Sequence, residues 1–423
     1  LGQADILLNL TEQELPEYIA PPMWGTWQYF FGNTRTYDVA GTWEVLQRAP
    51  VICSGLEVIT ERGRRVVYTS YGLSDPSSVR QTMNRCYWKS ATFAVRVLRQ
   101  LCDDPEGFST RSLPAEKGNG HDRLPGNAAF AATFSRNFAK RVVNKLGRWF
   151  LRRDWILMYA ENKGGKTLPP LEQYKELHAP EGYFWADPVL VEKEGRHYLF
   201  VEEYVYAEQK GRISVMEVNG NNEIAPPQPV LERPYHLSYP FVFVHDGTYY
   251  MIPETSDNRT VELYECTSFP HQWAFRRNLL ENVCAVDSTV WHHEGRWWLF
   301  TCMEAEPGAG MLDELFVFST EDIINSPLAP HPRNPVVSDV RSARPAGPFF
   351  TRSGEWYRPS QVCAPYYGWG LLVNRVNLLN ESDYSEQQAA KMVPDSRLKI
   401  AGIHTYTQVG GICVIDALKD TKK

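Results

Sequence analysis

The sequence predicts a multidomain chain in which an α/β domain is followed by an all-β five-bladed propeller. Two observations predict the propeller. A strand–turn–strand layout recurs four times from residue 186 onward, and its turn glycines stand about 50 residues apart, a period typical of four-stranded propeller blades. A third observation, apolar residues at helical spacing over 77–101, indicates α/β sequence before residue 102.

Each repeat has a polar start, an apolar strand, a glycine turn and an aromatic strand. The four copies cover 186–203, 238–254, 286–304 and 345–361. A fifth blade is predicted to be split, with inner strands from 402–418 and an outer strand from 153–160. Closing the ring with strands from both ends of the region removes an exposed sheet edge. Residues 154–420 are therefore assigned to the propeller.

Three regions precede the propeller. Residues 1–102 form the α/β domain, and because the chain starts at Leu1 with strand-like sequence we expect earlier strands to be missing. Residues 103–126 combine several Pro and Gly with few apolar residues, a composition typical of linkers.

Residues 127–153 are predicted to form a basic amphipathic helix. Apolar residues recur there at three- and four-residue spacing, seven residues are Arg or Lys, and no acidic residue occurs before Asp154. Two interpretations stay open. The helix lies on an anionic membrane surface, or it docks its aromatic stripe on a neighbouring domain.

Composition narrows the function classes. A net charge of −6 argues against a general nucleic-acid binder. The eight cysteines include no CxxC pair, which argues against a structural zinc site. Several of them stand in apolar strand-like sequence, which predicts buried thiols in a reducing compartment. No apolar run reaches the roughly 18 residues of a membrane span, and no signal peptide is visible. We expect a cytoplasmic protein, with a peripheral membrane location as an alternative.

The ends of the innermost strands of a propeller gather at one mouth of its channel. Counting from the turn glycine of each repeat places Asp187 and Asp287 at one shared position, and Glu202 and Glu254 at another. Such a set of carboxyl groups suits glycosyl chemistry, in which one group is the acid and another the base, nucleophile or charge stabiliser. The alternative is that the mouth is polar for solvation and that the Asp residues start strands as turn residues.

These counts give a candidate site. The predicted catalytic residues are Asp187, Asp287 and Glu254. The predicted substrate-binding residues are Glu202, His236, Tyr239, Arg344, Gln361 and His404. An Arg and a His can hold a phosphate or a sugar hydroxyl. No metal and no cofactor is predicted.

The motifs FWADP, FVEE, HLSYPFVF, MIPET, VDSTVW, GRWWLF, ARPAG, RPSQ and GIHT resemble the propeller half of the glucosamine inositolphosphorylceramide transferase family and its bacterial relatives. More distantly they resemble the five-bladed hydrolase clan of arabinanases, levansucrases and invertases. The resemblance covers most of 154–418. It implies that Asp187 occupies the position of the clan's base or nucleophile, and Asp287 the position that tunes the acid. Glu254 and Glu304 are the candidates for the general acid.

The first hundred residues resemble the later part of a formyltransferase N-terminal domain. The order is a strand ending in Asn9, then GTWQYFFGNTRTYD, then GTWEVLQRAPVICSGLEVI. Phe30, Phe31 and Gly32 stand where active members carry an Asn-x-His motif. The resemblance therefore implies a formyltransferase-like fold with lost or changed chemistry.

The expected function is glycosyl transfer in surface-polysaccharide or glycolipid synthesis, by a transferase acting on a sugar or glycolipid substrate. Two alternatives stay open. One is a non-catalytic glycan-binding or scaffold propeller, and the other is a formyltransferase-like enzyme acting on an amino sugar.

Overall fold

A computed structural model describes residues 4–11, 13, 22–32, 34, 37–113, 126–147, 151–162, 167–218 and 224–422. The chain forms two compact units. The N-terminal unit comprises Leu1–Leu146, Ala305–Gly310 and Ser338–Val340. The propeller unit comprises Gly147–Glu304, Met311–Val337 and Arg341–Lys423.

The N-terminal unit is built on a sheet of order β1-β2-β3-β4, in which β1 is parallel to β2 and the other pairs are antiparallel. An apolar core that includes Leu56, Val67 and Phe93 lies between this sheet and the helices. The strands are β1 (Leu7–Asn9), β2 (Thr26–Phe31), β3 (Val51–Thr60) and β4 (Gly63–Leu73). The helices are α1 (Thr42–Gln47), α2 (Val79–Ser90), α3 (Phe93–Asp103), α4 (Pro105–Thr110) and α5 (Asn127–Gly147). None of the described helices is both long and apolar enough to span a bilayer.

Two helices depart from the sequence prediction. The stretch 77–101 forms two helices rather than one, because the hydroxyls of Ser90 and Thr92 donate to carbonyls three residues earlier, at 2.9 and 3.0 Å, where α2 ends. Within the predicted linker 103–126, α4 begins where the carboxylate of Asp104 accepts from the Gly107 N–H at 2.9 Å and Pro105 occupies the first turn. Residues 114–125 of that linker lie outside the described residues.

The basic helix is shorter than the predicted range 127–153. It ends at Gly147, and residues 148–150 lie outside the described residues. Residues 151–153 already belong to β5, where Leu151 pairs with Lys422 and Arg153 with Asp420. The backbone hydrogen bonds of this ladder overrode the helical spacing of the sequence.

Five four-stranded sheets make up the described part of the propeller unit. The first three blades are β7 (Tyr183–Lys193), β8 (Arg196–Val205), β9 (Lys210–Val218), β10 (Gln228–Leu231); β11 (Ser238–His245), β12 (Thr248–Thr255), β13 (Thr260–Ser268), β14 (Gln272–Glu281); and β15 (Ala285–His293), β16 (Arg296–Met303), β17 (Leu315–Thr320), β18 (Ala329–Pro330). The last two are β19 (Phe350–Arg352), β20 (Glu355–Val362), β21 (Gly370–Leu379), β22 (Tyr384–Met392); and β23 (Ile400–Val409), β24 (Ile412–Lys422), β5 (Leu151–Glu161), β6 (Lys175–Leu177).

The fifth blade is split between the two ends of the region, as predicted. Its strand order is β23-β24-β5-β6, and β5 pairs with β24 along its whole length. The segment predicted as an outer strand is the third strand of this sheet. The central strands of the blade therefore join the start of the propeller to its end.

One two-residue turn joins the two inner strands of each blade. The turn pairs are Glu194-Gly195, Asp246-Gly247, Glu294-Gly295, Ser353-Gly354 and Gly410-Gly411, and both residues of every pair have positive φ. This is the conformation of a type I′ turn, whose twist matches that of the flanking strands. The turn glycines that gave the repeat its period are thus required by backbone geometry.

The apolar core of the propeller lies between its sheets. One buried cluster joins the first and second sheets, and further clusters join the second to the third, the third to the fourth and the fourth to the fifth. Another joins the fifth to the first, through contacts among residues such as Leu157, Val414 and Leu190. A chain of sheets in which the last packs on the first is a closed ring. The predicted propeller is confirmed by this packing and by the strand order.

Candidate active site on the propeller axis

A β-bulge interrupts the innermost strand of four blades and positions the axial side chains. The register shifts lie at the same place in β7, β11, β15 and β23. The first residues of these bulges are Asp187, Tyr239, Asp287 and His404. Asp187, Tyr239 and Asp287 have φ of 51°, 44° and 53°, a left-handed conformation that is unfavourable for a residue with a side chain. Bulges of this kind aim individual side chains and are frequent next to active sites.

Asp187 is held from three directions. Its carboxylate accepts from Thr405 Oγ1 at 2.9 Å and from the Tyr239 N–H at 3.3 Å, and it lies 3.1 Å from His404 Nε2. Its own N–H donates to Asp416 Oδ2 at 2.9 Å. Asp187 is 3% exposed, so these groups replace the water that would otherwise solvate it.

His404 stands between two carboxylates. Its Nδ1 lies 2.8 Å from Asp416 Oδ2, an ion-pair contact that is not aligned as a hydrogen bond. Asp416 also accepts the N–H groups of His404 and Thr405 at 3.1 and 2.9 Å. The ring packs on Trp155 with centroids 4.1 Å apart. Blade five therefore supplies a buried cation, His404, which forms an ion pair with Asp187 of blade one.

The two charges stabilise one another. Burial alone would raise the pKa of Asp187, but the charge of His404 and the hydrogen bonds from His404 and Thr405 hold that pKa below its ordinary value. Burial would lower the pKa of His404, but Asp416 and Asp187 raise it well above its ordinary value. The site thus contains an ionised Asp187 and an imidazolium at His404.

A second group forms around Asp287, which is 2% exposed. Its Oδ2 accepts from Arg344 Nε at 2.5 Å and from Gln361 Nε2 at 2.7 Å. Burial raises the pKa of Asp287 and the negative charge of Asp187 adds to the rise, although Arg344 opposes it. Arg344 is a fixed cation, because Asp287 holds its pKa well above the ordinary value against the effect of burial. Blades three and four meet through this group.

Glu254 is the carboxyl group beside this pair. Its Oε2 lies 3.8 Å from the Arg344 guanidinium, and its Oε1 accepts from Ser256 Oγ at 2.9 Å. Burial and the charge of Asp287 raise the pKa of Glu254 to about 8. A carboxyl group that keeps its proton near neutral pH can donate it, as a general acid must.

Tyr239 links the blades through both its backbone and its hydroxyl. Its N–H donates to Asp187, and its hydroxyl accepts the Gly347 N–H at 2.6 Å and lies 2.9 Å from Thr289 Oγ1. Tyr239 is fully buried. Its hydroxyl is therefore a structural connection between blades two, three and four, and the substrate-binding role of Tyr239 stays a prediction.

Glu202 and His236 form a separate pair at the edge of the cluster. His236 Nε2 lies 3.4 Å from Glu202 Oε1, and His236 Nδ1 accepts the Gly211 N–H at 2.9 Å. A side chain on Gly211 would collide with both residues, with Glu202 Oε1 2.9 Å from its Cβ. Burial and the charge of Asp187 raise the pKa of Glu202 well above its ordinary value, and burial lowers the pKa of His236. Both shifts favour the neutral form of the group.

One aromatic residue, Tyr367, contacts both cations of the site. Tyr367 lies beneath the Arg344 guanidinium, 4.7 Å from its ring centroid, and its edge meets the His404 ring at 5.4 Å. Tyr367 is 38% exposed, so it offers a ring to a ligand that reaches this cluster. Aromatic faces of this kind stack on sugar rings as well as on cations.

The structure brings the predicted residues together and adds others that the sequence analysis missed. The added residues are Asp416, Thr405, Tyr367 and Trp155. Asp416 had a signal, because it stands opposite the bulge, where the first three blades carry Val201, Pro253 and Thr301. The residues 363–369 that contain Tyr367 lie outside the repeat, and no pattern marked them.

Asp187, His404 and Asp416 also form a group of potential metal ligands among the described residues, with one donor atom of each within 4.8 Å of the others. A metal would need a neutral His404. Because both carboxylates raise the pKa of His404, a metal would compete with a proton for this imidazole.

Comparison with known families decides the relationship. The model of the family described as glucosamine inositolphosphorylceramide transferase 1, N-terminal, matches residues 174–402, more than half of the 423-residue chain. The chain belongs to this family. The resemblance of the propeller motifs to this family is thereby confirmed. The formyltransferase-like resemblance concerns residues outside the matched range, is not supported by the comparisons and stays a prediction.

Curated relatives carry the family's name. Glucosamine inositolphosphorylceramide transferase 1 of Arabidopsis thaliana is 32% identical over 220 residues, covering 51% of this chain and 28% of that protein. The protein of the same name from Oryza sativa subsp. japonica is 31% identical over 211 residues, covering 48% of this chain and 27% of that protein. The chain thus spans less than a third of each relative. Both names agree with the expected transferase class.

Solved structures of glycoside hydrolases are also similar. The family 117 enzyme Zg3597 of Zobellia galactanivorans is 12% identical with a TM-score of 0.41, covering 63% of this chain and 90% of that chain. The β-xylosidase/α-arabinofuranosidase CoXyl43, from a compost metagenome, is 12% identical with a TM-score of 0.43, covering 61% and 94%. Since these TM-scores are low, the propeller assignment rests on strand order and packing.

Proposed function

We propose that this chain is a glycosyl-transferring enzyme of glycolipid or surface-polysaccharide synthesis, and that its site is the axial cluster of the propeller. Family membership supports the reaction class, because the curated relatives are named as transferases that act with an inositolphosphorylceramide. By that analogy the substrate is a sugar donor together with a lipid that carries a phosphorylated polyol head.

One observation carries the proposal. A single buried cluster holds carboxyl groups whose pKa values move in opposite directions: that of Asp187 is lowered, and that of Glu254 is raised to about 8. Titratable groups whose surroundings push their pKa values apart are the pattern expected of an acid and a base in one site. A cluster of purely structural ion pairs would not need a carboxyl group that keeps its proton, as Glu254 does.

The roles follow from these charges. As the acceptor oxygen forms its bond to the anomeric carbon, Asp187 takes the acceptor's proton and stabilises the positive charge on the sugar ring. As the bond from that carbon to the leaving-group oxygen breaks, Glu254 gives its proton to that oxygen. Asp287 positions Arg344, and the guanidinium of Arg344 is the group that faces developing negative charge on the leaving group.

The test is a screen of nucleotide sugars and lipid-linked sugars with inositol-phosphate lipids as acceptors. We expect product with the unaltered chain and a loss of at least about a hundredfold in Glu254→Gln and in the double variant Asp187→Asn, Asp287→Asn. Product formation at the unaltered rate in the double variant would refute the proposal.

A matched control separates loss of chemistry from loss of fold. Glu203 is also buried, but it accepts from Arg212 Nε and Ser214 Oγ, both at 2.9 Å, and takes no part in the axial cluster. Glu203→Gln should keep the turnover of whatever fraction folds. Circular dichroism and the unfolding midpoint of each variant measure that fraction.

A specific observation favours a second candidate, a non-catalytic glycan-binding propeller. The carboxylates of Asp187 and Asp287 already accept hydrogen bonds or ion pairs from four side chains of the protein itself. A binding module would retain sugar affinity in Asp187→Ala and form no product from any donor. Titration calorimetry with the sugars of the screen distinguishes the two functions.

The formyl-transfer hypothesis has little support among the described residues of the N-terminal unit. The Asn9 side chain is engaged locally, since its amide donates to the Gln13 carbonyl at 3.0 Å and its oxygen accepts from Thr11. Phe31 is buried in the core. Neither position supplies the acid–base pair that formyl transfer needs.

A further inference from the structure

Helix α5 (Asn127–Gly147) carries apolar side chains that face solvent. Phe130 and Phe134 are 44% and 58% exposed, and their rings are parallel with centroids 6.4 Å apart. Val142, two turns further on, is 42% exposed. Residues four apart share one face of a helix, so the two rings form one continuous apolar surface. Large exposed aromatic residues at this spacing are unusual unless something covers them.

The same helix is strongly basic. Arg136, Lys140, Arg141 and Lys145 lie within it, and it contains no acidic residue, although the whole chain has a net charge of −6. Arg136 is exposed between the turns that carry the two phenylalanines and Val142. Exposed aromatic side chains on a helix of strongly basic sequence are complementary to a surface that is apolar inside and anionic outside.

Among the side chains of α5 that the structure describes, Asn137 ties the helix to its unit. The Asn137 side chain is buried, and its carbonyl oxygen accepts from Arg48 Nε at 2.7 Å. Every residue from Asn127 to Arg136 whose exposure is described, apart from the half-buried Thr133, is exposed. The first turns of α5 therefore extend from the Asn137 anchor with the aromatic pair accessible.

We propose that α5 docks this protein on an anionic lipid bilayer, with Phe130 and Phe134 inserted at the level of the headgroups and the basic side chains on the phosphates. Basic amphipathic helices with aromatic residues bind membranes in this orientation. The inference goes beyond the proposed function, and it does not depend on the axial site. A protein partner fits less well, because it would have to be both acidic and apolar over the same short stripe.

The test measures sedimentation of the full chain with vesicles. We expect binding to vesicles of equimolar phosphatidylcholine and phosphatidylglycerol, much weaker binding to phosphatidylcholine alone, and release at high salt. Replacing both rings with serine (Phe130→Ser, Phe134→Ser) should weaken binding about fiftyfold, because the exposed half of each ring no longer transfers apolar surface from water into the bilayer. Arg136→Gln should weaken it about fivefold, the effect of one basic side chain near an anionic surface.

The matched control is Phe275→Ser with Val244→Ser. These side chains are 52% and 48% exposed but lie on strands of the propeller unit, so the double change should leave binding unaltered. Because Arg136 is exposed, its substitution leaves the fold intact and keeps the test informative if the serine pair lowers stability. Phe130→Leu with Phe134→Leu should retain most of the binding.

Three results would overturn the inference. They are no binding to anionic vesicles, equal binding to neutral and anionic vesicles, and a concentration-dependent dimer that the serine pair abolishes while vesicle binding is absent. The last result would make the stripe an interface between copies. Turnover of a detergent-solubilised acceptor should be unchanged in the serine pair, so failure of the docking inference and failure of the proposed transferase activity give different outcomes.

Discussion

Removal of the Asp416 carboxylate should destabilise the propeller more than any other single change of charge in blade five. Asp416 is fully buried and accepts three backbone N–H groups, those of Asp187, His404 and Thr405, at 2.9 to 3.1 Å. It also forms the ion pair with His404 Nδ1 at 2.8 Å. In Asp416→Ala all four groups lose their partner at once.

The magnitude follows from what is left behind. A buried N–H without a partner costs about 1 kcal/mol or more, and three of them cost about 3 kcal/mol. Breaking one side of a buried ion pair costs about 3–5 kcal/mol, because the remaining charge stays buried. These contributions overlap, since His404 can lose its proton, so we expect a loss of about 3–5 kcal/mol in the free energy of unfolding.

The assay is urea unfolding of the full chain, followed by tryptophan fluorescence. Asp420→Asn is the matched control, because Asp420 lies on the same strand β24 and forms its ion pair with Arg153 at 2.5 Å in solvent. An exposed pair of this kind contributes about 0–1 kcal/mol. If Asp416→Ala cost no more than Asp420→Asn, the carboxylate would not hold the two blades together and the reasoning would be refuted.

Three further predictions follow from the cluster. The pKa of Glu254 is raised from 4.5 to about 8, so the free energy of unfolding falls as pH rises between these two values. Glu254→Gln should remove this loss, which is on the order of 5 kcal/mol, and the plot of stability against pH should become flatter. Gly347 has a φ of 128°, and a Cβ added there would lie 2.0 Å from the Tyr406 carbonyl oxygen, so Gly347→Ala should lower the unfolding midpoint strongly. Gly354→Ala is the control, because a Cβ added there meets nothing within 4 Å, and it should cost about 1 kcal/mol. Tyr239→Phe leaves the Gly347 N–H without its acceptor and should cost about 1–3 kcal/mol in urea unfolding, and an unchanged midpoint would show that the hydroxyl links nothing.

The blades could be predicted because their signal is local and repeated. Each type I′ turn needs a positive φ at two adjacent positions, and glycine at the second position marks it in all five blades. Closure by β5 was also predictable, since a chain whose last blade lacks a strand must take it from elsewhere. The break between α2 and α3 could not be predicted from apolar spacing, because hydroxyl groups that cap carbonyls do not change the hydrophobic pattern.

The site was predictable only as far as the repeat reaches. Counting from the turn glycines gave Asp187, Glu202, Glu254 and Asp287, and the bulges place two of these on the axis. The count could not assign partners, because the contact between Asp187 and Asp416 joins residues 229 positions apart in different blades. It also could not show that the hydroxyl of Tyr239, a predicted substrate-binding residue, contacts Gly347 and Thr289 of the neighbouring blades.

The two aspartates show why the repeat alone cannot assign chemistry. Asp187 and Asp287 occupy the same position of the same motif and have nearly the same φ, yet the pKa of the first is lowered and that of the second is raised. Both are buried, so the difference comes from the neighbouring blades. Asp187 is ion-paired with His404 of the blade that closes the ring, whereas Asp287 shares its cation Arg344 with Glu254 and is also repelled by the negative charge of Asp187.

If closure by the fifth blade keeps Asp187 ionised, then His404→Gln should raise the pKa of Asp187 toward that of Asp287, and the acidic limb of a pH–activity profile should move to higher pH. A profile that stays in place would mean that the hydrogen bonds from Thr405 and Tyr239 suffice to keep Asp187 ionised.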